Sequence, residues 1–195
     1  MSRVGRISRQ TTETDVQVAL DLDGSGEVSV DTGVPFFDHM LAQLAAHGRL
    51  DLQVRARGDL AVDPHHTVED VGLALGQALR QAVGEGRGIA RFGSVHAPMD
   101  DALVLAAVDI SGRPYLHYGL EVGPAVLGTF PADLAEEFFR ALASSGALTL
   151  HLVQVHGRSA HHVVEAAFKG TGIALHLATR IRGGGVPSTK GVLGP

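Results

Sequence analysis

The sequence predicts an α+β fold made by tandem duplication of a ββαβα half, each half a mostly antiparallel sheet with its helices on one face. A motif that occurs twice, flanking segments that repeat in the same order, and a matching succession of strand and helix patterns all point to it. His65-His66-Thr67-Val68-Glu69 lies over His161-His162-Val163-Val164-Glu165 at an offset of 96, and Gly76 then falls on Gly172. Upstream, HMLAQLAAHGRLDL from His39 lies over EFFRALASSGALTL from Glu137 at an offset of 98, so Gly48 meets Gly146. Further back, ETDVQVALDLDG from Glu13 lies over DALVLAAVDISG from Asp101 at an offset of 88. Three matches in one order, separated by loop-sized shifts, read as a duplication.

The elements follow in order. Residues 16–23 and 27–30 alternate apolar and polar as strands do, with Gly24-Ser25-Gly26 as the turn. A helical pattern over 36–46 is stopped by Gly48, 49–57 alternates again, and 66–83 is an Ala/Leu-rich helix ended by Gly84. The second half repeats this with strands at 103–110 and 115–122, a helix at 132–143, a strand at 147–155 and a helix at 162–179. The run Gly84-Glu85-Gly86-Arg87-Gly88 marks the boundary, giving halves at 1–88 and 89–182 and a glycine-rich tail at 183–195. Each half leaves one sheet face bare. Its own copy is the expected partner, with further subunits beyond.

Composition narrows the function. With 195 residues, 45% of them hydrophobic, the chain reads as a soluble globular protein. A net charge of −5, no tryptophan and two tyrosines argue against nucleic acid, which calls for a basic surface and stacking aromatics. No apolar run approaches the roughly 20 residues of a membrane span, and the start MSRVGRISRQ lacks the apolar stretch of a secretory signal. The expected location is cytoplasmic. There is no cysteine but there are 11 histidines, so any metal site is built from imidazole and carboxylate, which suits manganese, iron or zinc better than calcium.

The twin motifs carry that chemistry. Residues four apart share a helix face, so His65 points with Glu69 and His161 with Glu165, while His66 and His162 sit about 100° further round. Adjacent histidines so placed chelate one ion poorly. Two such helices brought together by pseudo-symmetry would supply each of two ions with one histidine from each pair. Packing and capping do not require the same cluster at the same point of both halves, whereas a symmetric metal site does. His39 opens the earlier helix and its repeat partner is Glu137, a competent ligand for a hard metal. Asp38 is either a helix cap or an orienting partner for an imidazole. His47 and His151 have no histidine counterpart, and His96, His117, His156 and His176 read as surface or strand residues.

These residues also resemble a known family. Phe36-Phe37-Asp38-His39-Met40-Leu41, Asp63-Pro64-His65-His66-Thr67-Val68-Glu69-Asp70, the stretch from Ser159 to Lys169 (SAHHVVEAAFK), and Pro187-Ser188-Thr189-Lys190-Gly191 are similar to imidazoleglycerol-phosphate dehydratases. Gly33-Val34-Pro35 and Ser111-Gly112-Arg113-Pro114 match the same family. The resemblance implies fused halves related to the second domain of ribosomal protein S5, in a 24-subunit shell of trimers. It implies two manganese ions per site, with sites at subunit contacts. By position the ligands are His39, His65, His66, Glu69, His161, His162 and Glu165, with Glu137 standing where the family often has histidine.

The implied reaction converts imidazole glycerol phosphate to imidazole acetol phosphate and water, a step of histidine biosynthesis. The carbon that loses its proton has no neighbouring carbonyl, so an enolate route is closed. Metal acting as Lewis acid on the imidazole ring and a carboxylate moving protons answer that need. Glu13 is the candidate acid/base, with its repeat partner Asp101 sharing the ambiguity and Glu69 and Glu165 as further carboxylates. Arg91, Arg113, Ser188 and Lys190 match the family's phosphate contacts, with Lys169 nearby. The tail sequence GGGVPSTK superficially looks like a nucleotide loop but lacks its Gly-Lys-Ser/Thr order and a preceding strand. It is instead expected to close on the substrate phosphate. Two other functions share these ligands: a dinuclear metallohydrolase acting on a phosphate ester, and a shell protein whose metals staple subunits without catalysis.

Overall fold

The computed structural model describes residues 3–193. The first sheet contains β1 (Val4–Gln10), β2 (Thr14–Asp21), β3 (Val28–Asp31) and β4 (Asp51–Gly58), with α1 (Pro35–Gly48) between the last two strands and α2 (His65–Val83) after them. The second half has β5 (Phe92–Met99), β6 (Ala102–Asp109), β7 (Tyr115–Gly119), a small hairpin of β8 (Val126–Leu127) and β9 (Phe130–Pro131), then α3 (Leu134–Gly146), β10 (Thr149–His156) and α4 (Ala160–Thr179). Strand order is β1-β2-β4-β3 in one sheet and β5-β6-β10-β7 in the other. The closing pairs β3–β4 and β7–β10 are parallel, as a helix crossover between the strands allows, and the other pairs of these two sheets are antiparallel.

Each four-stranded sheet has one strand more than the periodicity predicts, and the second half adds the β8–β9 hairpin. β1 and β5 are edge strands that bury little, and at their second positions they carry glycine rather than an apolar signal. A methyl group on Gly5 would sit 1.9 Å from the Ala78 carbonyl oxygen of α2, and one on Gly93 would sit 2.0 Å from that of Ala174 in α4. Only hydrogen fits there. Gly5 and Gly93 stand 88 apart, so the duplication extends into the strands that hydrophobic alternation does not reveal.

The two halves join through their helices, not through their sheets. The helices cover one face of their own sheet, and α1 packs against α4 while α2 packs against α3. Close approach at this seam again depends on glycine: a Cβ on Gly172 would meet the Leu44 carbonyl oxygen at 2.1 Å, and one on Gly76 the Leu142 carbonyl oxygen at 2.6 Å. Beside the seam Phe37, Phe130, Phe138, Phe139 and Phe168 form one buried aromatic group, with Phe138 and Phe168 stacked at 5.0 Å.

The expectation that one half's bare face meets its copy is therefore corrected: among the described residues both outer sheet faces stay uncovered. They differ. The first presents Ser8, Gln17, Gln53 and Arg55, while the second presents Phe92, Leu105, Tyr115, Val153 and Val155. Among the described residues no helix is long and apolar enough to cross a membrane.

Candidate active site

Both motifs open a helix. In α4 the Ser159 side chain accepts from the His162 amide, and in α2 Asp63, at the equivalent position, accepts from the His65 amide at 2.8 Å. This places both histidines of each pair in the first turn, where they diverge: the rings of His65 and His66 lie at 89° and those of His161 and His162 at 77°.

The helix pairing decides what each histidine meets. Because α4 lies on α1, His39 and His161 approach the same oxygen of Glu165, with Nε2 atoms 3.8 and 3.1 Å from Oε2. The Phe36 ring stands edge-on to His161 at 5.2 Å. Lys169, one turn further along, places Nζ 2.6 Å from Glu165 Oε1. Glu165 is buried and both imidazoles are about half exposed. Burial works to raise the Glu165 pKa. The hydrogen bond and charge of Lys169, joined by His161 and His39, outweigh it and leave the carboxyl below its ordinary value. His47 lies close enough to feel the same group, its pKa pushed down by burial and then by the Lys169 charge.

The corresponding trio in the other half is His65 and Glu69 on α2 with Glu137 on the adjacent α3. Glu137 has Arg140 Nε at 3.8 Å, and where Glu165 has Lys169 four residues on, Glu69 has Leu73.

His66 and His162 turn away from these carboxylates. His66 Nδ1 lies 3.0 Å from Asp59 Oδ2 and 3.8 Å from Glu13 Oε2. His162 Nδ1 lies 2.6 Å from Asp101 Oδ1, with Asp100 at 3.5 Å from its Nε2. The hydrogen bond to Asp59 raises the His66 pKa against the opposing effect of desolvation, and the Glu13 charge adds to it. His162, together with the Arg158 and Ser159 amides, holds the Asp101 carboxyl well below the usual carboxylate range. Two expectations change here. The two motif helices do not converge within the chain to share ions. Asp101 is engaged by His162 and two backbone amides, whereas Glu13 is exposed with its carboxylate beside His66.

The donor chemistry fits a divalent cation: imidazole nitrogens and carboxylate oxygens, with two of the nitrogens converging on one buried carboxylate. Yet among the described residues no three histidine or carboxylate side chains complete a cation site by themselves. Asp38 takes neither role expected of it. Its Oδ1 accepts from the Thr32 amide at 2.9 Å and the Thr32 hydroxyl at 2.5 Å, tying β3 to α1.

Four of the five phosphate candidates do gather. Arg91, Arg113, Ser188 and Lys190 line one cavity of about 250 Å³, together with Ser111 and Thr189. Arg91 is already engaged, with Nε 2.7 Å and Nη2 3.1 Å from Asp109 and Nη1 donating to the Pro187 carbonyl at 2.9 Å. It pins the tail, and Arg113 and Lys190 carry the more exposed charge. Lys169 is the exception to the grouping, since Glu165 and Met99 Sδ occupy its ammonium. Sequence reasoning missed Asp59 and Asp109. Asp109 has a repeat partner in Asp21, but Asp59 falls on Gly157, so the duplication pointed away from it.

The sequence profile described as imidazoleglycerol-phosphate dehydratase matches residues 32–175, well over half of the chain and including both histidine motifs. The chain belongs to the imidazoleglycerol-phosphate dehydratase family. It is 54% identical over 195 residues to the imidazoleglycerol-phosphate dehydratase of Moorella thermoacetica, covering 99% of this chain and 100% of that protein. With the enzyme of Symbiobacterium thermophilum it shares 55% over 193 residues, 98% and 93% of the two chains. Among solved structures it is similar to the family member from Pyrococcus furiosus, in complex with (S)-C348, at a TM-score of 0.84 and 41% identity over 96% of this chain and 100% of that one. The imidazoleglycerol-phosphate dehydratase of Staphylococcus aureus gives 0.83 and 34% over 91% and 99%. Glu13 precedes the matched segment and Ser188 and Lys190 follow it, so their place in the family rests on these nearly full-length likenesses.

Proposed function

We propose that this chain removes water from imidazole glycerol phosphate in histidine biosynthesis, using two divalent cations, manganese foremost with iron and zinc as alternatives. One observation carries the reading: a carboxylate-imidazole cluster built across the two halves accompanies a separate cationic cavity sized for a phosphate ester, in a member of this family. His39, His161 and Glu165 would hold one ion, and His65, Glu69 and Glu137 the other. When bound, such ions act as Lewis acids toward the imidazole ring of the substrate.

The chain's own groups do the rest. Arg113 and Lys190 offer charge to the phosphate, Ser188 offers a hydroxyl, and Arg91 holds the tail in place through the Pro187 carbonyl. Glu13, exposed and beside His66, is placed to move a proton. Lys169 offsets the charge of Glu165 and keeps its carboxylate fixed.

The same reading has the chain assemble with copies of itself, as trimers in a 24-subunit shell with sites at subunit contacts. Exposed Phe92, Tyr115 and Val155 on the second sheet and the outward-turned His66 and His162 support this. It acts in the cytoplasm, because its substrate is a charged phosphate ester that does not cross a bilayer unaided.

Activity measured with chelator and after manganese addition tests the proposal. Turnover should vanish and return, with the phosphate ester intact in the product; release of inorganic phosphate would mean a hydrolase instead. Removing the residues after Arg182 should raise KM at least tenfold with the fold preserved, and unchanged kinetics would remove the tail from the mechanism.

A further inference from the structure

The second histidine of each motif is held by a carboxylate, and the two carboxylates come from unrelated places in the repeat. His66 is held by Asp59, just after β4, through Nδ1 at 3.0 Å. His162 is held by Asp101, at the β5–β6 turn, through Nδ1 at 2.6 Å. Position 59 falls on Gly157 in the other half, and position 101 falls on Glu13. The closer carboxylate thus differs between the halves, while Glu13, the repeat partner of Asp101, stands 3.8 Å from the same Nδ1 of His66. Both imidazoles are about a third exposed and need no such partner to pack or to stay hydrated. Asp59 also keeps its Oδ1 buried without a hydrogen-bond partner among the described residues, an arrangement that costs stability.

We propose that Asp59 and Asp101 are positioning residues that fix His66 and His162 as the Nδ1–H tautomer, leaving Nε2 as the unprotonated nitrogen offered to a divalent cation, with Asp100 adding negative charge 3.5 Å from that of His162. A carboxylate on one ring nitrogen sets the tautomer, the ring orientation and the basicity of the other nitrogen. This rests on the metal-dependent reading above, which supplies the ion. It adds that the outward histidines are prepared as donors before any ion or second subunit arrives. The inward histidines differ. Described contacts place the Nε2 of His161 and of His39 on Glu165, and neither makes an Nδ1 contact with a carboxylate.

Two measurements on the purified chain test it. In metal-free protein, long-range nitrogen–proton NMR of the imidazoles should show His66 and His162 as Nδ1–H, with Asp59→Ala and Asp101→Ala moving the corresponding ring toward Nε2–H. Finding Nε2–H in the unmodified chain overturns the proposal, whether or not a metal binds. Titration with Mn²⁺, followed by calorimetry and electron paramagnetic resonance, should then give affinities about 10 to 100-fold weaker for Asp59→Asn and Asp101→Asn, with Asp31→Asn as a control at the parent value.

Asp101→Asn keeps an acceptor for the Arg158 and Ser159 amides, so the loop survives in it. If that variant binds Mn²⁺ as tightly as the parent while Asp101→Ala alone fails, Asp101 is only a loop tie and the proposal is wrong. Absence of Mn²⁺ binding by the parent chain would instead overturn the metal-dependent reading, and the tautomer measurement would still decide this one.

Discussion

Arg9, Thr14 and Asp70 of the first half fall on Ala97, Ala102 and Ala166 of the second. In the first half they form a network, with Arg9 Nε 2.8 Å from Asp70 Oδ1 and the Thr14 hydroxyl donating to Asp70 Oδ2. In the second half the same space is closed by methyl groups, all three of them buried. The difference shows that the backbone of the repeat tolerates either solution. What the halves keep in common is the histidine pair, the glutamate, and the glycines that let elements touch. What they exchange is the chemistry around them: Lys169 beside Glu165 against Leu73 beside Glu69, and an exposed Glu13 3.8 Å from its histidine against an Asp101 hydrogen-bonded to its own.

The largest effect should come from the last of these contrasts. Glu13→Gln is expected to lower kcat by about 10² to 10⁴-fold, with circular dichroism and Mn²⁺ affinity unchanged. Unaltered turnover in that variant would erase the distinction between Glu13 and Asp101.

Next comes the buried network. Asp70→Ala strips Arg9 and Thr14 of their shared partner and should cost about 3 kcal/mol in urea denaturation, the low end for a broken ion pair because Arg9 is 35% exposed. Converting all three positions to alanine, the arrangement of the second half, should recover most of that loss, since no polar group is then left unpaired. A triple variant as unstable as Asp70→Ala would mean that the halves are not interchangeable there.

Gly5→Ala and Gly93→Ala ask whether the halves are alike where they look alike. Both force a methyl group onto a helix carbonyl, and each should cost about 2 kcal/mol, equal within error by the same measurement.

The smallest effect concerns acid. Asp51 accepts from the amides of Ser25, Gly26 and Glu27 at 2.8 to 3.0 Å, and those bonds, that from Glu27 first, lower its pKa. A depressed folded pKa means stability that is complete above the unfolded value of about 3.9 and lost as pH falls through the folded one. The equivalent Thr149 bonds the Arg113 carbonyl and carries no charge. Asp51→Thr should therefore lower stability at neutral pH and flatten the stability curve below about pH 4; an unchanged acid limb would count against the assignment.

Much of this was legible in the residues. The four helices, the duplication and the motif faces follow from 3.6-residue periodicity and from glycine stops. β1 escaped because VGRISRQ, with glycine at its closest contact and arginine or serine at alternate positions, has no apolar face to detect. The pairing of α1 with α4 escaped for another reason. His39 and Glu165 are 126 residues apart in sequence and 3.8 Å apart in space, and no local pattern records that. Spacing showed that His66 and His162 diverge from their neighbours. It did not show that Asp59 and Asp101 would hold them, because those contacts break the repeat.

The glycine seam between α1 and α4 has an evolutionary corollary. Where backbone rests directly on backbone, no side chain remains that mutation could trim or enlarge by degrees. The distance from His39 to Glu165 is thereby shielded from gradual drift. The outer sheet faces, by contrast, could be rewritten separately, and one is polar while the other mixes apolar side chains with imidazoles. A lineage could thus alter what the molecule associates with while its ligand geometry stayed in register.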